Sequence, residues 1–233
     1  MPIHIRAETG DYAEACLLPG DPGRARRITE TYLEGAVERN SNRGLLGYTG
    51  EFRGTPVSVQ ATGMGGPSAA IVMEELVQLG VRRFLRVGTC GSLQPRIGLG
   101  ELVLALSAVP AGGASRDYVD GEPHAPTADW ELVHGAVHAA KELGVQLHVG
   151  PVATSDVFYA PDAGRSERWS QRGILAVEME AATLFTLAVL RGVGAGCLLV
   201  ASNSVFDETW LDEDELGTAV DRMAEVALAT LAG

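Results

Sequence analysis

The chain has 233 residues, 46% of them hydrophobic and 21% charged, the balance of an ordinary globular protein with a sizeable core. Its formal charge of −12 argues against nucleic acid or an anionic membrane as partner, because a field of that sign repels polyanions. No stretch approaches the ~20 apolar residues of a membrane span, and the polar first ten residues, with Arg6 and Glu8, speak against a secretory leader, so a cytoplasmic location is expected.

From the N-terminus, short aliphatic runs alternate with amphipathic ones. Ala15–Leu18 reads as a strand and Gly23–Tyr32 as a helix. A strand at Pro56–Thr62 is followed by a helix at Ser68–Gly80, then by strands at Arg83–Gly88 and Glu101–Val109. Ala111–Thr127 carries Gly112, Gly113, Gly121, Pro123 and Pro126; it reads as an exposed loop, either a lid or a subunit contact. Next come a helix at Asp129–Gly144, strands at Leu147–Ser155 and Ile174–Val177, a helix at Met179–Gly192 and a strand at Gly196–Ser202. The last helix, Glu213–Leu231, lines up Leu216, Val220, Met223, Ala227 and Leu231 on one face. Gly80, Gly144 and Gly192 read as helix stops. This order predicts one α/β domain over residues 1–233, with a central mixed β-sheet flanked by helices on both faces. Ligands of such sheets bind at the strand ends.

Several strand ends carry candidate chemistry. At Leu17–Arg24 a strand runs into a turn with Gly20 and Gly23, and Arg24 falls in the first turn of the next helix. Glycines and a helix N-terminus suit an anion, although a plain strand–turn–helix junction has the same look. In Arg86–Ser92 a charge lies inside an apolar run, so either an internal carboxylate or a bound anion must satisfy Arg86. Arg43 lies in a glycine turn, and Met64 in the turn Thr62–Pro67. Glu178 and Glu180 are two apart where a strand gives way to a helix. Such a pair fits vicinal hydroxyls or acid/base work on a glycoside, or simply acids favoured at a helix N-terminus. Ser202 and Asn203 end another strand, as a pocket floor or as ordinary turn formers.

Other chemistries are excluded. Of eighteen basic residues only Lys141 is a lysine, and it follows Ala140, so there is no Walker A loop. No GxSxG elbow or dinucleotide fingerprint occurs. His134 and His138 are a helical turn apart without the glutamate of a zinc motif, and read as a solvated face. Cys16, Cys90 and Cys197 form no CxxC pair and are expected reduced and buried.

Together, Leu18–Ala25, Thr62–Ala69, Arg86–Leu93, Ser155–Pro161, Val177–Ala182 and Ala201–Asn203 occur in the order and spacing of the hexameric-type nucleoside phosphorylases. The chain resembles that family over nearly its whole length. The resemblance implies phosphorolysis of purine nucleosides to free base and ribose 1-phosphate, with phosphate as co-substrate and no cofactor or metal. It implies that Gly20, Arg24, Arg86 and Thr89 hold phosphate, with Arg43 from a neighbouring subunit. Met64, Glu178, Met179 and Glu180 would line the ribose, and the neighbour's His4 would approach the 5′-hydroxyl. Ser155, Phe158, Val177, Ser202 and Asn203 would surround the base, and three dimers would form a homohexamer.

One position departs from the pattern. Many members carry aspartate after the pocket serine, whereas Ser202 is followed by Asn203. An amide NH₂ offers two donors, which suits N7 and the 6-oxo group of guanine or hypoxanthine, so guanosine and inosine are expected to be preferred over adenosine. No arginine occurs between Asn203 and Arg222, so the arginine that assists the aspartate in some members has no counterpart. Uridine phosphorylases carry Gln and Arg just after the Phe-Tyr pair; here Phe158-Tyr159 is followed by Ala-Pro-Asp-Ala-Gly. Nucleosidases of the family lack the phosphate arginines, and a non-catalytic nucleoside binder would have lost them, yet Arg24, Arg43 and Arg86 are all present.

Overall fold

The computed structural model describes residues 2–162, 164–207 and 209–233. In chain order the elements are β1 (Ala15–Pro19), α1 (Pro22–Tyr32), β2 (Glu34–Asn40), a 3₁₀ turn (Asn42–Gly44), β3 (Gly47–Phe52), β4 (Thr55–Gln60), α2 (Gly66–Gln78), β5 (Arg83–Ser92) and β6 (Leu102–Pro110). There follow α3 (Ala114–Asp117), α4 (Trp130–Glu142), β7 (Leu147–Thr154), α5 (Arg165–Gln171), β8 (Ala176–Glu178), α6 (Ala181–Arg191), β9 (Gly194–Ser204) and α7 (Glu213–Ala232).

The strands form one mixed sheet in the order β2-β3-β4-β1-β5-β8-β7-β6-β9, and β9 also pairs with β5. The last five strands therefore close into a ring. Parallel neighbours are β1 with β4 and β5, β5 with β9, β6 with β7, and β7 with β8. β1 is buried along its whole length, as a strand covered on both faces must be. One core lies between the sheet and α2 and α6, around Phe84, Met73 and Phe185. The other lies under α1, α4 and α7, around Ile28, Leu104 and Met223.

Local chemistry sets the boundaries. The Asp21 side chain caps α1 by accepting from Arg24 N, and Pro22 fills its first position. Asp212 and Glu215 form a capping box on α7. Gly192 ends α6 in the left-handed conformation, φ 63°.

The alternation expected from the sequence holds, with four differences. β2, β3 and α5 had no counterpart in the expected elements. β2 is mostly exposed, so burial imposes no alternation on it, and β3 spends Gly47 and Gly50 where side chains do not fit. The strand expected from Ile174 begins at Ala176, and the helix expected from Met179 begins at Ala181, because Glu180 takes the capping position. The mostly exposed 111–127 segment contains the one-turn helix α3.

Gly47 marks a tight approach. A Cβ there would lie 2.0 Å from Gln60 Oε1 and 2.2 Å from Tyr12 Oη, two buried groups joined by a 2.5 Å hydrogen bond. Gly47 is held on both sides by pairing to Asn40 and Gln60, so the backbone cannot yield. Gly47→Ala should lower the unfolding free energy by about 2–3 kcal/mol through overpacking and a broken buried bond. The urea midpoint at unchanged slope measures this.

Candidate active site

The turn after β1 places Gly20 against the guanidinium of Arg86. A Cβ at Gly20 would lie 3.2 Å from both terminal nitrogens, and one at Gly88 would lie 3.2 Å from Nη2. Arg86 is buried. Its Nη2 donates to Glu180 Oε2 at 2.7 Å and its Nη1 to the Leu18 carbonyl at 3.1 Å. Of the two readings of this charge, the internal carboxylate is therefore present. It leaves one group over: Arg86 Nε is buried without a hydrogen-bond partner among the described residues. Burial works most strongly against the Arg86 charge, but the Glu180 and Glu178 carboxylates, with the Glu180 hydrogen bond and other neighbours, together outweigh it and raise the pKa.

Arg24 is half-buried. Among the described residues its guanidinium forms neither an ion pair nor a hydrogen bond. Burial and the nearby Arg86 charge lower its pKa from the usual arginine range. The two guanidiniums are close enough to repel, and Arg24 has no carboxylate partner among the described residues.

Glu180 also receives the Gly65 N–H on Oε1 at 2.6 Å, which ties the turn before α2 to the start of α6. Glu178 is gripped by three donors: Thr154 Oγ1 at 2.5 Å, Glu180 N at 2.8 Å and Ala181 N at 2.9 Å. Burial and then the Glu180 charge nevertheless raise its pKa to about 7, the donors offsetting only part of the rise. Met179 between the two is half-buried.

The base-side residues gather at neighbouring strand ends. Gly91 of β5 pairs with Val177 and with Asn203. A Cβ on it would be 3.4 Å from both the Val177 side chain and Asn203 Nδ2. Ser202 Oγ reaches the Cys90 carbonyl and Asn203 Oδ1, both at 3.3 Å. This engages the acceptor of the Asn203 amide and leaves its NH₂ without a partner among the described residues. Ser155 is buried, its N–H on the Glu178 carbonyl at 2.9 Å. Thr89 is half-buried in β5. Phe158 and Met64 are 62% and 83% exposed.

His4 and Arg43 do not join this cluster. Arg43 is exposed, in a left-handed turn at φ 58°, and the His4 ring is bound to Glu75 at 2.8 Å. Thr154 and Glu75 carry no motif, and the Thr62–Ala69 motif that contains Gly65 does not say what Gly65 binds. The partners of Thr154, Gly65 and Glu75 lie 24, 115 and about 70 residues away, so no local signal announces them. Cys16, Cys90 and Cys197 are all free and buried, and His134 and His138 are exposed.

The strand ends thus bring together the neighbouring Arg24 and Arg86, the buried Glu178 and Glu180, and the Asn203 amide in an α/β domain. The chain belongs to the phosphorylase superfamily, whose family model matches residues 14–232. It is similar to proteins named purine nucleoside phosphorylase DeoD-type. That of Geobacillus kaustophilus is 46% identical over 231 residues, covering 98% of this chain and 97% of the relative. That of Caldanaerobacter subterraneus is 44% identical over 230 residues, covering 98% and 99%. That of Bacillus cereus is 42% identical over 229 residues, covering 98% and 97%.

Proposed function

We propose that the protein cleaves purine nucleosides with inorganic phosphate, releasing the base and ribose 1-phosphate, and that it prefers guanosine and inosine to adenosine. The observation that carries this reading is the Arg24–Arg86 pair beside Gly20, with Arg86 bridged to Glu180. Phosphate brings roughly two negative charges near neutral pH. It relieves the repulsion between the guanidiniums and engages the unpaired Arg24. Thr89 adds a hydroxyl, and Arg43 of a neighbouring subunit completes the cage.

Glu180, already anchored to that pair, holds the ribose hydroxyls directly above the anion, with Glu178, Met179 and Met64 lining the sugar. This is positioning rather than proton transfer. Cleavage passes through an oxocarbenium-like ribose; the phosphate below C1′ stabilises that cation and then captures it. The departing purine gathers charge at N7 and needs a donor there. Asn203 supplies it, with Ser202, Ser155, Phe158 and Val177 around the base. His4 and Arg43, both apart from the cluster, serve a neighbour's site, which makes a dimer the smallest competent unit and a hexamer of three dimers the assembly. The reaction suits the cytoplasm, where nucleosides and phosphate are both at hand.

Hypoxanthine release from inosine is expected to depend on added phosphate; undiminished release in phosphate-free buffer would mean hydrolysis. The base preference rests on Asn203, whose two amide donors match N7 and a 6-oxo oxygen but leave a 6-amino group facing a donor. Asn203→Asp should therefore raise the adenosine-to-guanosine ratio of kcat/KM by about tenfold or more. Comparable wild-type values for the two nucleosides would refute the preference.

A further inference from the structure

Glu75 on α2 is buried, yet it takes no part in the Arg86–Glu180 cluster. Its two oxygens collect the backbone N–H groups of Ile3 at 3.0 Å, His4 at 2.8 Å and Ile5 at 2.7 Å. Oε1 also meets Nδ1 of the His4 ring at 2.8 Å. Burial works to raise the pKa of this carboxyl; the donors from Ile5, the His4 ring, Ile3 and His4 N together overcome it and hold the pKa below the ordinary range.

A carboxylate only accepts, so the proton between the two groups belongs to His4 Nδ1, and in the Nδ1–H tautomer Nε2 is an acceptor. The same segment is stitched to the Arg43 turn. Asn42 Nδ2 donates to the His4 carbonyl at 2.9 Å, Arg6 N to Asn40 Oδ1 at 3.0 Å, and Asn40 Nδ2 to the Leu45 carbonyl at 2.6 Å.

We infer that Glu75 is a positioning residue, which fixes His4 as the Nδ1–H tautomer with Nε2 free to accept from the 5′-hydroxyl of a nucleoside bound by the neighbouring subunit. This rests on the function proposed above and adds to it a group that never touches substrate. Glu75 and Asn42 make the N-terminal segment and the Arg43 turn one framework, so the two donated residues arrive together.

The test compares inosine with 5′-deoxyinosine at saturating phosphate. In Glu75→Leu no acceptor is left for the Nδ1–H of the ring. The inosine-to-5′-deoxyinosine ratio of kcat/KM should fall about three- to tenfold, the worth of one hydrogen bond, with 5′-deoxyinosine turnover little changed. An equal loss on both substrates marks a purely structural role and overturns the inference, as does an unchanged ratio. So does a wild-type protein that cleaves both equally well.

A second measurement does not depend on the variant folding. The ¹⁵N shifts of His4 in the wild-type protein, assigned by loss of the signal in His4→Gln, should report a neutral Nδ1–H ring; an Nε2–H ring overturns the inference. Absence of phosphate-dependent base release by the wild type would instead defeat the functional reading, and the tautomer would then decide the Glu75–His4 arrangement alone.

Discussion

Arg86→Gln should lower kcat/KM for phosphorolysis on the order of 10³-fold and also destabilise the protein by about 3–5 kcal/mol. The two losses share one cause. Arg86 is buried, and its guanidinium is the ion-pair partner of an equally buried Glu180. Removing one member strands the other charge in a low-dielectric interior, which costs far more than the bond itself is worth. Glu180 would then be free to leave Gly65 N, to which it is also bound, and the sugar platform would lose its reference point. The double variant Arg86→Gln/Glu180→Gln separates the effects. With no orphaned charge it should recover most of the stability, and with neither the phosphate fork nor the ribose acceptor it should recover none of the turnover. Denaturant midpoints and steady-state rates on Arg86→Gln, Glu180→Gln and the double variant close the cycle. Full stability in Arg86→Gln alone would contradict the pairing as described.

Arg24→Gln should have the opposite profile. Arg24 has no carboxylate partner among the described residues and is disfavoured by Arg86 nearby, so its charge contributes nothing to the phosphate-free fold. Stability in phosphate-free buffer should stay within about 0.5 kcal/mol of wild type, the range of a substitution that breaks no buried contact. The phosphate KM, in contrast, should rise about 100-fold, as expected for losing a charge-assisted fork in a half-buried site. Phosphate at about 100 times its Kd should stabilise the wild type by about 2.7 kcal/mol. At that same concentration the variant should gain little. A thermal-shift titration with phosphate reads this directly. A variant that still gains the full stabilisation would place the anion elsewhere.

The sequence carried the architecture wherever burial constrained it. β1 and the Ala195–Ala201 stretch of β9 are continuous apolar runs because both of their faces are covered, and the helices that pack on the sheet repeat with the helical period. β2 was invisible for the opposite reason: Glu-Gly-Ala-Val-Glu-Arg-Asn faces water for most of its length, so no alternation is selected. The short α5 has one buried side chain, Trp169, too little to make a pattern. In the site, Gly20, Arg24 and the Glu178–Glu180 pair could be found because glycine at a strand end and charge in an apolar run are local signals. Which partner satisfies Arg86 was not legible, since Glu180 lies 94 residues away and only the ring of strands brings the two together. The Glu75 clamp is hidden in the same way, because three of its donors are backbone N–H groups, which every sequence possesses.

The closure of β5, β8, β7, β6 and β9 upon themselves has a consequence for how this molecule meets its neighbours in a crowded solution. A strand with an unfilled row of amides and carbonyls is a template on which other chains can grow. Among the described residues β2 is the one strand with a single neighbour in the sheet. There the exposed Glu34 and Glu38 and the half-buried Arg39 replace the flat apolar surface that cross-strand stacking requires. Resistance to fibrillar association is thereby concentrated in seven residues, and neutralising their charges would expose it while leaving the catalytic strands untouched.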